Sequence, residues 1–205
     1  MNLQECLNKL GRGKLSNLSI CFGGYVKPEH LEKVIDAVNE ALLRIYTAIP
    51  IKEAHKTLSI EPGIDTYKLD EDMLTVVRVY DNLGRPYAIN NPEDPLHVWV
   101  SGGNFIVGKL DDEVTYFDLV YRSKHKPLNT ETLEEEIDLP ENLIGALCSY
   151  AAYMIHNDMN TQEAVGNAQK YLAEYQNIIQ EVITQSTINP EAILVNRKFI
   201  DRGFV

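Results

Sequence analysis

The residues most suited to binding or catalysis are the basic side chains in the second half of residues 118–128, DLVYRSKHKPL. Branched and aromatic residues open this stretch as a strand, and Arg122, Lys124, His125 and Lys126 follow within five positions. In a chain of net charge −11, such a basic cluster could bind phosphate, take part in catalysis or form a docking edge. The rest of the chain has to distinguish these three functions.

The five histidines and three cysteines give little indication of a metal site or a catalytic nucleophile. Only Cys148 and His156 lie near each other, and on a helix they would be two turns apart, whereas a zinc site needs three or four ligands. We therefore interpret Cys148 as a packed residue and His156 as a solvated one. Three scattered cysteines give no disulfide framework, which fits a reducing compartment. The sequence predicts no metal and no cofactor.

The glycine pairs at 23–24 and 102–103 resemble phosphate loops only superficially. Neither pair sits in a GxxxxGK[ST] or GxGxxG pattern, so we interpret both as turn glycines. Nucleophile-elbow and zinc-protease motifs do not occur, and nothing in the sequence supports an enzyme. Trp99 alternates with two valines on a predicted strand, where a core position is the simpler interpretation and an interface position the alternative.

Length and composition describe an ordinary globular chain. Its 205 residues, 44% apolar and 24% charged, suffice for one sizeable core or a core with a smaller lobe. Neither a secretion signal nor an apolar run near the roughly 20 residues of a membrane span is present. The net charge of −11 argues against a protein that binds DNA through its phosphates. Its simplest interpretation is that acidity keeps the protein in solution.

Four segments predict helices. Residues 2–10 place three leucines on one face. A proline followed by glutamate begins the second helix at Pro28 and the third at Pro140. The second helix has apolar residues at three- and four-residue spacings and is bounded by Pro50, while the fourth begins near Asn160 with a capping-box-like pattern.

Between about residues 55 and 122 the periodicity changes to that of strands. The segments HKTLSI, MLTVVRVY, YAIN, LHVWV, NFIVG and VTYFDLVY predict a small antiparallel sheet, with SGG as a hairpin turn and NNPEDP as an irregular link. Residues 11–30, with four glycines and no periodicity, are interpreted as a loop. Residues 129–141 carry six acids and are interpreted as an exposed linker.

The predicted fold class is therefore α+β: an antiparallel α-helical bundle with a small antiparallel β-sheet insertion and an extended C-terminal arm. The predicted domains are residues 1–50 with 129–184 for the bundle, 51–128 for the insertion and 185–205 for the arm.

The order of segments resembles the head-to-tail adaptor, or connector, proteins of short-tailed bacteriophages. The resemblance covers about residues 16–184: a helix ending in EALLRIYTAIP, a sheet ending in FDLVYRSKHKPL, then IDLPENLIGALCSYAAYMIH, a short NDMN break and GNAQKYLAEYQNIIQEV. Its most specific part is the Leu-Pro helix start paired with the G-N-A-x-x-Y-x-x-x-Y helix. The long tail after Gln185 and the acidic linker depart from shorter relatives.

The resemblance implies a structural virion protein, not an enzyme, that is made in the host cytoplasm and located in the head–tail neck. Such proteins form a ring, typically dodecameric, under the portal protein and extend the channel through which DNA passes as cargo. They also provide the platform for tail nozzle and fibre proteins. The resemblance implies no cofactor and no membrane partner.

Two sets of residues are predicted to make contacts in such an assembly. Arg122, Lys124 and Lys126 would face acids of a neighbouring subunit, and a strand end that merely extends its charges into water is the alternative. These acids are Glu134, Glu135 and Glu136. The C-terminal arm would dock on the portal or on an adjacent subunit, and folding back on its own bundle is the alternative. The residues assigned to the arm contact are Ile193, Leu194, Val195, Arg197, Lys198, Phe199, Ile200, Arg202 and Phe204.

Two other classes of function stay open from the sequence. One is a monomeric intracellular module that binds a protein or small molecule. The other is an unrecognised soluble enzyme, which convergent polar residues in a pocket would favour.

Overall fold

The computed structural model describes residues 1–108, 110–111, 113–159 and 161–188. The chain divides into two compact units. Among the described residues, a helical unit contains residues 1–51 and those from 127 to 188, and a sheet unit contains those from 52 to 126. The predicted domain boundaries, including the arm, stay a prediction.

The helical unit contains four α-helices among its described residues. They are α1 Leu3–Arg12, α2 Leu31–Ala48, α3 Ile144–Asn157 and α4 Gln162–Ile188. Short 3₁₀ turns, Pro28–His30 and Glu141–Leu143, precede α2 and α3, as the Pro-Glu starts predict. Helix α3 packs against α1, α2 and α4. Ala146, Ala151 and Ala152 are completely buried on α3, and such small side chains let the neighbouring helices approach closely.

A two-residue hairpin also belongs to the helical unit. Its strands are β1 Cys21–Phe22 and β2 Tyr25–Val26, with Cys21 opposite Val26 and Phe22 opposite Tyr25. The segment that contains it was interpreted from the sequence as a loop without regular structure. A hairpin this short has no periodicity to detect, because each strand contributes only one residue to each face.

The sheet unit consists of seven strands in the spatial order β3-β9-β5-β6-β7-β8-β4. They are β3 Glu53–Ser59, β4 Thr66–Lys68, β5 Met73–Asp81, β6 Pro86–Ile89, β7 His97–Ser101, β8 Asn104–Val107 and β9 Tyr116–Ser123. All neighbouring strands are antiparallel except β6 and β7, which are parallel.

The predicted fold class is wrong. The structure is mixed α/β, with four helices and a large, curled seven-stranded mixed sheet that forms a half-barrel, and not an antiparallel bundle with a small antiparallel insertion. The first physical reason is the link between β6 and β7. Short links normally join antiparallel strands, whereas residues 90–96 connect a parallel pair. Asn90 makes this possible by adopting φ 57° and bonding the N–H and C=O of Val100 through its amide.

The second reason is that the sheet closes on an apolar core of its own. Phe117 lies at the centre, with ring centroids 4.9 Å from Tyr87 and 5.4 Å from Phe105 in edge-on contacts. The buried residues of this core are Val76, Val79, Tyr87, Val98, Phe105, Val107, Val114, Phe117, Leu119 and Tyr121. A sheet that buries one face against itself does not need a helical bundle to cover that face.

Candidate interaction surfaces

The basic strand end lies at the end of β9, as predicted. Arg122 is half-buried and pairs in register with Glu53 of β3 and Thr75 of β5. The Glu53 carboxylate accepts a hydrogen bond from Arg78 at 2.6 Å, and the buried Nε of Arg122 has no hydrogen-bond partner among the described residues. Arg122 therefore has unused hydrogen-bonding capacity at this end of β9.

The two lysines that follow Arg122 differ in their surroundings. Lys126 is exposed, whereas Lys124 lines an open pocket of about 420 Å³ together with Lys68, Asp70 and Glu71. The pocket lining therefore carries both signs of charge. This mixture does not favour a phosphate over a cation, so the phosphate-binding interpretation gains no support.

The acids at 134–136 are part of an ordered segment at the N-terminus of α1. The N–H of Leu3 donates to the C=O of Glu135 at 3.2 Å, and Asn2 forms a β-bridge with Glu136. Asn2 also caps α1 in a capping box with Glu5, and its amide contacts the Glu134 carboxylate at 3.4 Å. The three carboxylates are exposed beside the positive end of the helix dipole. The charged side chains of the predicted linker are thus exposed, but its backbone is hydrogen-bonded to the start of α1.

The predicted pairing of these acids with the basic end of β9 on a neighbouring copy stays a prediction. All nine residues assigned to the C-terminal arm lie outside the described residues, and their docking stays a prediction as well. Helix α4 extends to Ile188, four residues beyond the predicted end of the bundle at residue 184.

The β1–β2 hairpin is a functional candidate that the sequence interpretation missed. Its turn glycines, Gly23 and Gly24, have φ +58° and +83°, which confirms that they are turn residues. Phe22 is 82% exposed and Tyr25 is 50% exposed. The available signal was a Gly-Gly pair between aromatic residues, which is typical of a tight hairpin turn.

Helix α1 holds the hairpin in place. A Cβ on Gly11 would lie 2.8 Å from the carbonyl oxygen of Gly24, so only glycine permits this approach. The Arg12 guanidinium lies 5.2 Å from the centre of the Tyr25 ring and donates to its hydroxyl at 2.8 Å. The hairpin therefore presents Phe22 on a braced support.

Trp99 and the 102–103 hairpin lie on the sheet unit. Gly102 and Gly103 have positive φ between β7 and β8, which confirms them as turn glycines. Trp99 is 39% exposed on the outer face and meets the His97 ring edge-on at 6.0 Å, so the predicted core position is wrong. Its neighbour Val98 points inward and fills the core instead.

His156 is buried and not solvated as predicted. It is 2% exposed, lies 5.2 Å from the Tyr171 ring, and its Nε2 is 3.1 Å from the C=O of Lys14. Its Nδ1 has no hydrogen-bond partner among the described residues. Lys14 reaches on to form an ion pair with Glu174. The cluster joins the loop after α1 to α3 and α4.

Cys148 is packed, as predicted, and it faces Cys6 of α1. The side-chain hydrogen bond with Cys148, followed by burial, raises the pKa of the Cys6 thiol well above its usual value. The same hydrogen bond lowers the pKa of the Cys148 thiol. Within the described ranges, no group of three or more His, Cys, Asp or Glu side chains could bind a metal ion. None of the helices described combines the length and apolar character of a membrane span.

The family model described as "SU10 adaptor protein" matches residues 12–193, which include both units. No curated protein matches the chain.

Proposed function

Because the chain belongs to the SU10 adaptor protein family, we propose that it is a head-to-tail adaptor in a bacteriophage virion. In this function it forms a ring under the portal protein, extends the channel through which DNA leaves the head, and carries the tail nozzle and fibre proteins. The family is a structural one, so no catalytic step is part of the proposal.

The observation that carries this proposal is the length of the family match. It spans residues 12–193 and therefore includes all of the sheet unit and most of the helical unit. A match of this extent supports a shared architecture rather than one shared motif. The coarse function, an adaptor of a phage particle, follows from membership, and the ring and its partners are the finer proposal.

The basic end of β9 is a candidate contact with an acidic partner surface in the assembly. The Nε of Arg122 has no hydrogen-bond partner among the described residues, and Lys126, four residues further along the chain, is exposed. Charged residues of this kind set the register and the rate of association more than its affinity. Reversal of these charges should therefore slow assembly more than it weakens the finished ring.

Electron microscopy of the purified protein mixed with a portal ring of the phage tests the proposal directly. We expect a monomer or weak oligomer in isolation that closes into a ring on the portal. A protein that stays monomeric and does not bind the portal would favour the monomeric binding module instead. A tight dimer that ignores the portal would equally contradict the proposal.

The C-terminal arm is the proposed attachment to the portal or to an adjacent subunit. Truncation after Ile188 leaves α4 complete and removes the arm residues from Ile193 to Phe204. We expect an unchanged thermal transition and loss of portal attachment, because a segment that becomes ordered on binding contributes little to the isolated fold. A melting temperature lowered by many degrees would assign the arm to the core.

A further inference from the structure

We propose that the β1–β2 hairpin binds the acidic segment, residues 129–141, of the next copy of the chain. This inference rests on the proposed function, because it names the contact between copies within the proposed ring. The hairpin tip is exposed, the charges of the two features are complementary, and both features contact helix α1.

The hairpin tip has an exposed aromatic residue on an ordered support. Isolated hairpins of this size are marginal, yet this one is braced by the close approach of Gly11 and by Arg12 stacked on Tyr25. Phe22 is nevertheless 82% exposed. Aromatic residues that anchor interfaces have these properties before the partner binds.

The charge around the hairpin selects an acidic partner. Residues 6–28 contain four basic side chains and no acid, although the whole chain has a net charge of −11. Lys14 is already paired with Glu174, and Arg12 is stacked on Tyr25. Lys9 is exposed and Lys27 is half-buried, so both are available to carboxylates of a partner.

The acidic segment has the complementary composition. It contains six acids and no basic residue, and Glu134, Glu135 and Glu136 are exposed. Its backbone is held in place by hydrogen bonds from the start of α1. Leu133 and Leu139 are half-buried within it and supply apolar surface for an aromatic side chain.

The two features lie at opposite ends of α1. The acidic segment contacts the N-terminal end through Leu3, and the hairpin contacts the C-terminal end through Gly11 and Arg12. A helix of ten residues is about 15 Å long, and this length separates the two attachment points within one copy. A contact between unlike ends of successive copies repeats head to tail, and it closes into a ring when the rotation permits.

The hairpin is a better partner for these acids than the basic end of β9. The hairpin combines positive charge with an exposed aromatic residue, whereas residues 122–126 at the end of β9 contain no Phe, Tyr or Trp. Surface charges without a buried anchor contribute little to affinity. The double reversal Lys124→Glu with Lys126→Glu is therefore the control for the equilibrium measurements below, because it should slow assembly but leave the finished ring intact.

Cross-linking between copies tests the contact directly. Cys21 lies in the hairpin and is partly accessible, whereas Cys6 and Cys148 are buried. In the Glu135→Cys variant, a short bifunctional maleimide should join Cys21 of one copy to the new thiol of the next, in the portal-bound ring and in concentrated protein. Adding Cys21→Ser should abolish the product, and Glu113→Cys, at an exposed acid of the sheet unit, should not give it.

Removal of the Phe22 ring tests its contribution to the affinity between copies. Phe22→Ala should lower the affinity between copies about 30-fold, as for other aromatic anchors, and leave the melting temperature unchanged. Native mass spectrometry of portal complexes measures the occupancy of the ring. Leu83→Ala is the matched control, because Leu83 is 52% exposed on a turn of the sheet unit. A Phe22→Ala protein that assembles like the parent overturns the contact.

A charge swap tests the pairing of unlike ends. Lys9→Glu with Lys27→Glu makes both ends acidic, and Glu134→Lys with Glu135→Lys makes both ends basic. Each double variant alone should fail to assemble, while an equal mixture should form alternating rings. Failure of the mixture to recover assembly overturns the inference.

The contact and the proposed function fail in different ways. The contact is overturned if rings form on the portal but Cys21 does not cross-link to the thiol at position 135 of the next copy. It is also overturned if the hairpin cross-links to the portal instead. In both cases the proposed function stands. If the parent protein does not bind the portal, the proposed function fails. In that case the cross-link in concentrated protein tests the contact alone: its presence supports the contact, and its absence overturns it.

Discussion

Asp81 is a buried charge whose hydrogen bonds fix the turn between β5 and β6. It is 2% exposed and accepts hydrogen bonds from the N–H groups of Leu83 and Arg85, both at 2.9 Å. The Arg85 guanidinium adds a contact of 2.6 Å and continues to Asp111 at 3.0 Å. Burial alone would raise the pKa of the Asp81 carboxyl, but the hydrogen bonds from Arg85 and Leu83 outweigh it and hold the pKa below its usual value.

Asp81→Asn should lower the free energy of unfolding by about 1–3 kcal/mol at neutral pH, because buried donors lose a charged acceptor. The folded-state pKa of Asp81 is lowered, so the stabilisation is present above the unfolded pKa of about 3.9 and is lost as pH falls through the folded value. The difference between the two proteins should therefore shrink in acid. Urea denaturation followed by the fluorescence of Trp99, the single tryptophan and a residue of the sheet unit, measures it.

Asp111→Asn is the control for this change. Asp111 contacts the same Arg85, but its side chain is 65% exposed, so its loss should cost at most about 1 kcal/mol. Equal destabilisation by the two substitutions would mean that the ion pair, and not the buried turn, stabilises this part of the sheet unit.

At the scale of elements, α1 is short but joins two features of the helical unit. Its capped N-terminus holds the acidic segment, and Gly11 near its C-terminus holds the hairpin. Leu3, Leu7 and Leu10 are buried on its inner face, as their spacing in the sequence predicts. The helix thus positions both candidate contact surfaces while its own apolar face is satisfied.

Gly11→Ala should destabilise the helical unit, although alanine is the better helix former. The new Cβ would lie 2.8 Å from the Gly24 oxygen and displace the hairpin, at a cost of about 1–3 kcal/mol. Hydrogen exchange of residues 20–27 should become faster. Gly166→Ala in α4 is the matched control, because its Cβ would have no described atom within 4 Å apart from its chain neighbours and the local helix backbone. This substitution should stabilise the protein by up to about 1 kcal/mol. Protection of residues 20–27 that is unchanged in Gly11→Ala would contradict the bracing of the hairpin.

At the scale of the whole molecule, the chain forms two units, one continuous and one built from both ends of the chain. The sheet unit has its own apolar core, and its ends are adjacent because Glu53 pairs with Arg122 across β3 and β9. A segment with a core of its own and adjacent ends can be inserted into another fold without threading the chain.

The sheet unit should therefore fold when residues 52–126 are produced alone. We expect a cooperative urea transition in the Trp99 fluorescence of this fragment. Asp81→Asn should shift the midpoint in the same direction as in the full chain. A gradual transition without a midpoint would show that the core of the sheet unit is insufficient by itself.

The net charge predicts weak binding of the protein to DNA. At −11 the chain should repel duplex DNA, and a channel that bound DNA tightly would stall its passage. We expect no measurable binding to duplex DNA at physiological salt in fluorescence anisotropy. Micromolar binding with a steep salt dependence would instead indicate that the basic surfaces, including the hairpin, bind nucleic acid.

The sequence by itself determined the places of the four helices and of six of the seven strands in the large sheet. Helical and strand periodicities are local patterns, so Leu31–Ala48 and Met73–Asp81 are recognisable without any knowledge of their partners. The segment order was also sufficient to indicate an adaptor family, which the match over residues 12–193 confirms. Thr66–Lys68 was missed because three residues carry too little periodicity.

Only the tertiary structure decided how these elements are combined. The parallel pairing of β6 with β7, and the closure of the sheet around Phe117, join residues whose contacts no local pattern encodes. The same holds for the candidate surfaces. Whether Trp99 or Phe22 is exposed, and whether the acids at 134–136 are anchored to α1, depends on packing between distant segments of the chain. Residue type indicates that a side chain can be buried, and only its three-dimensional neighbours determine whether it is.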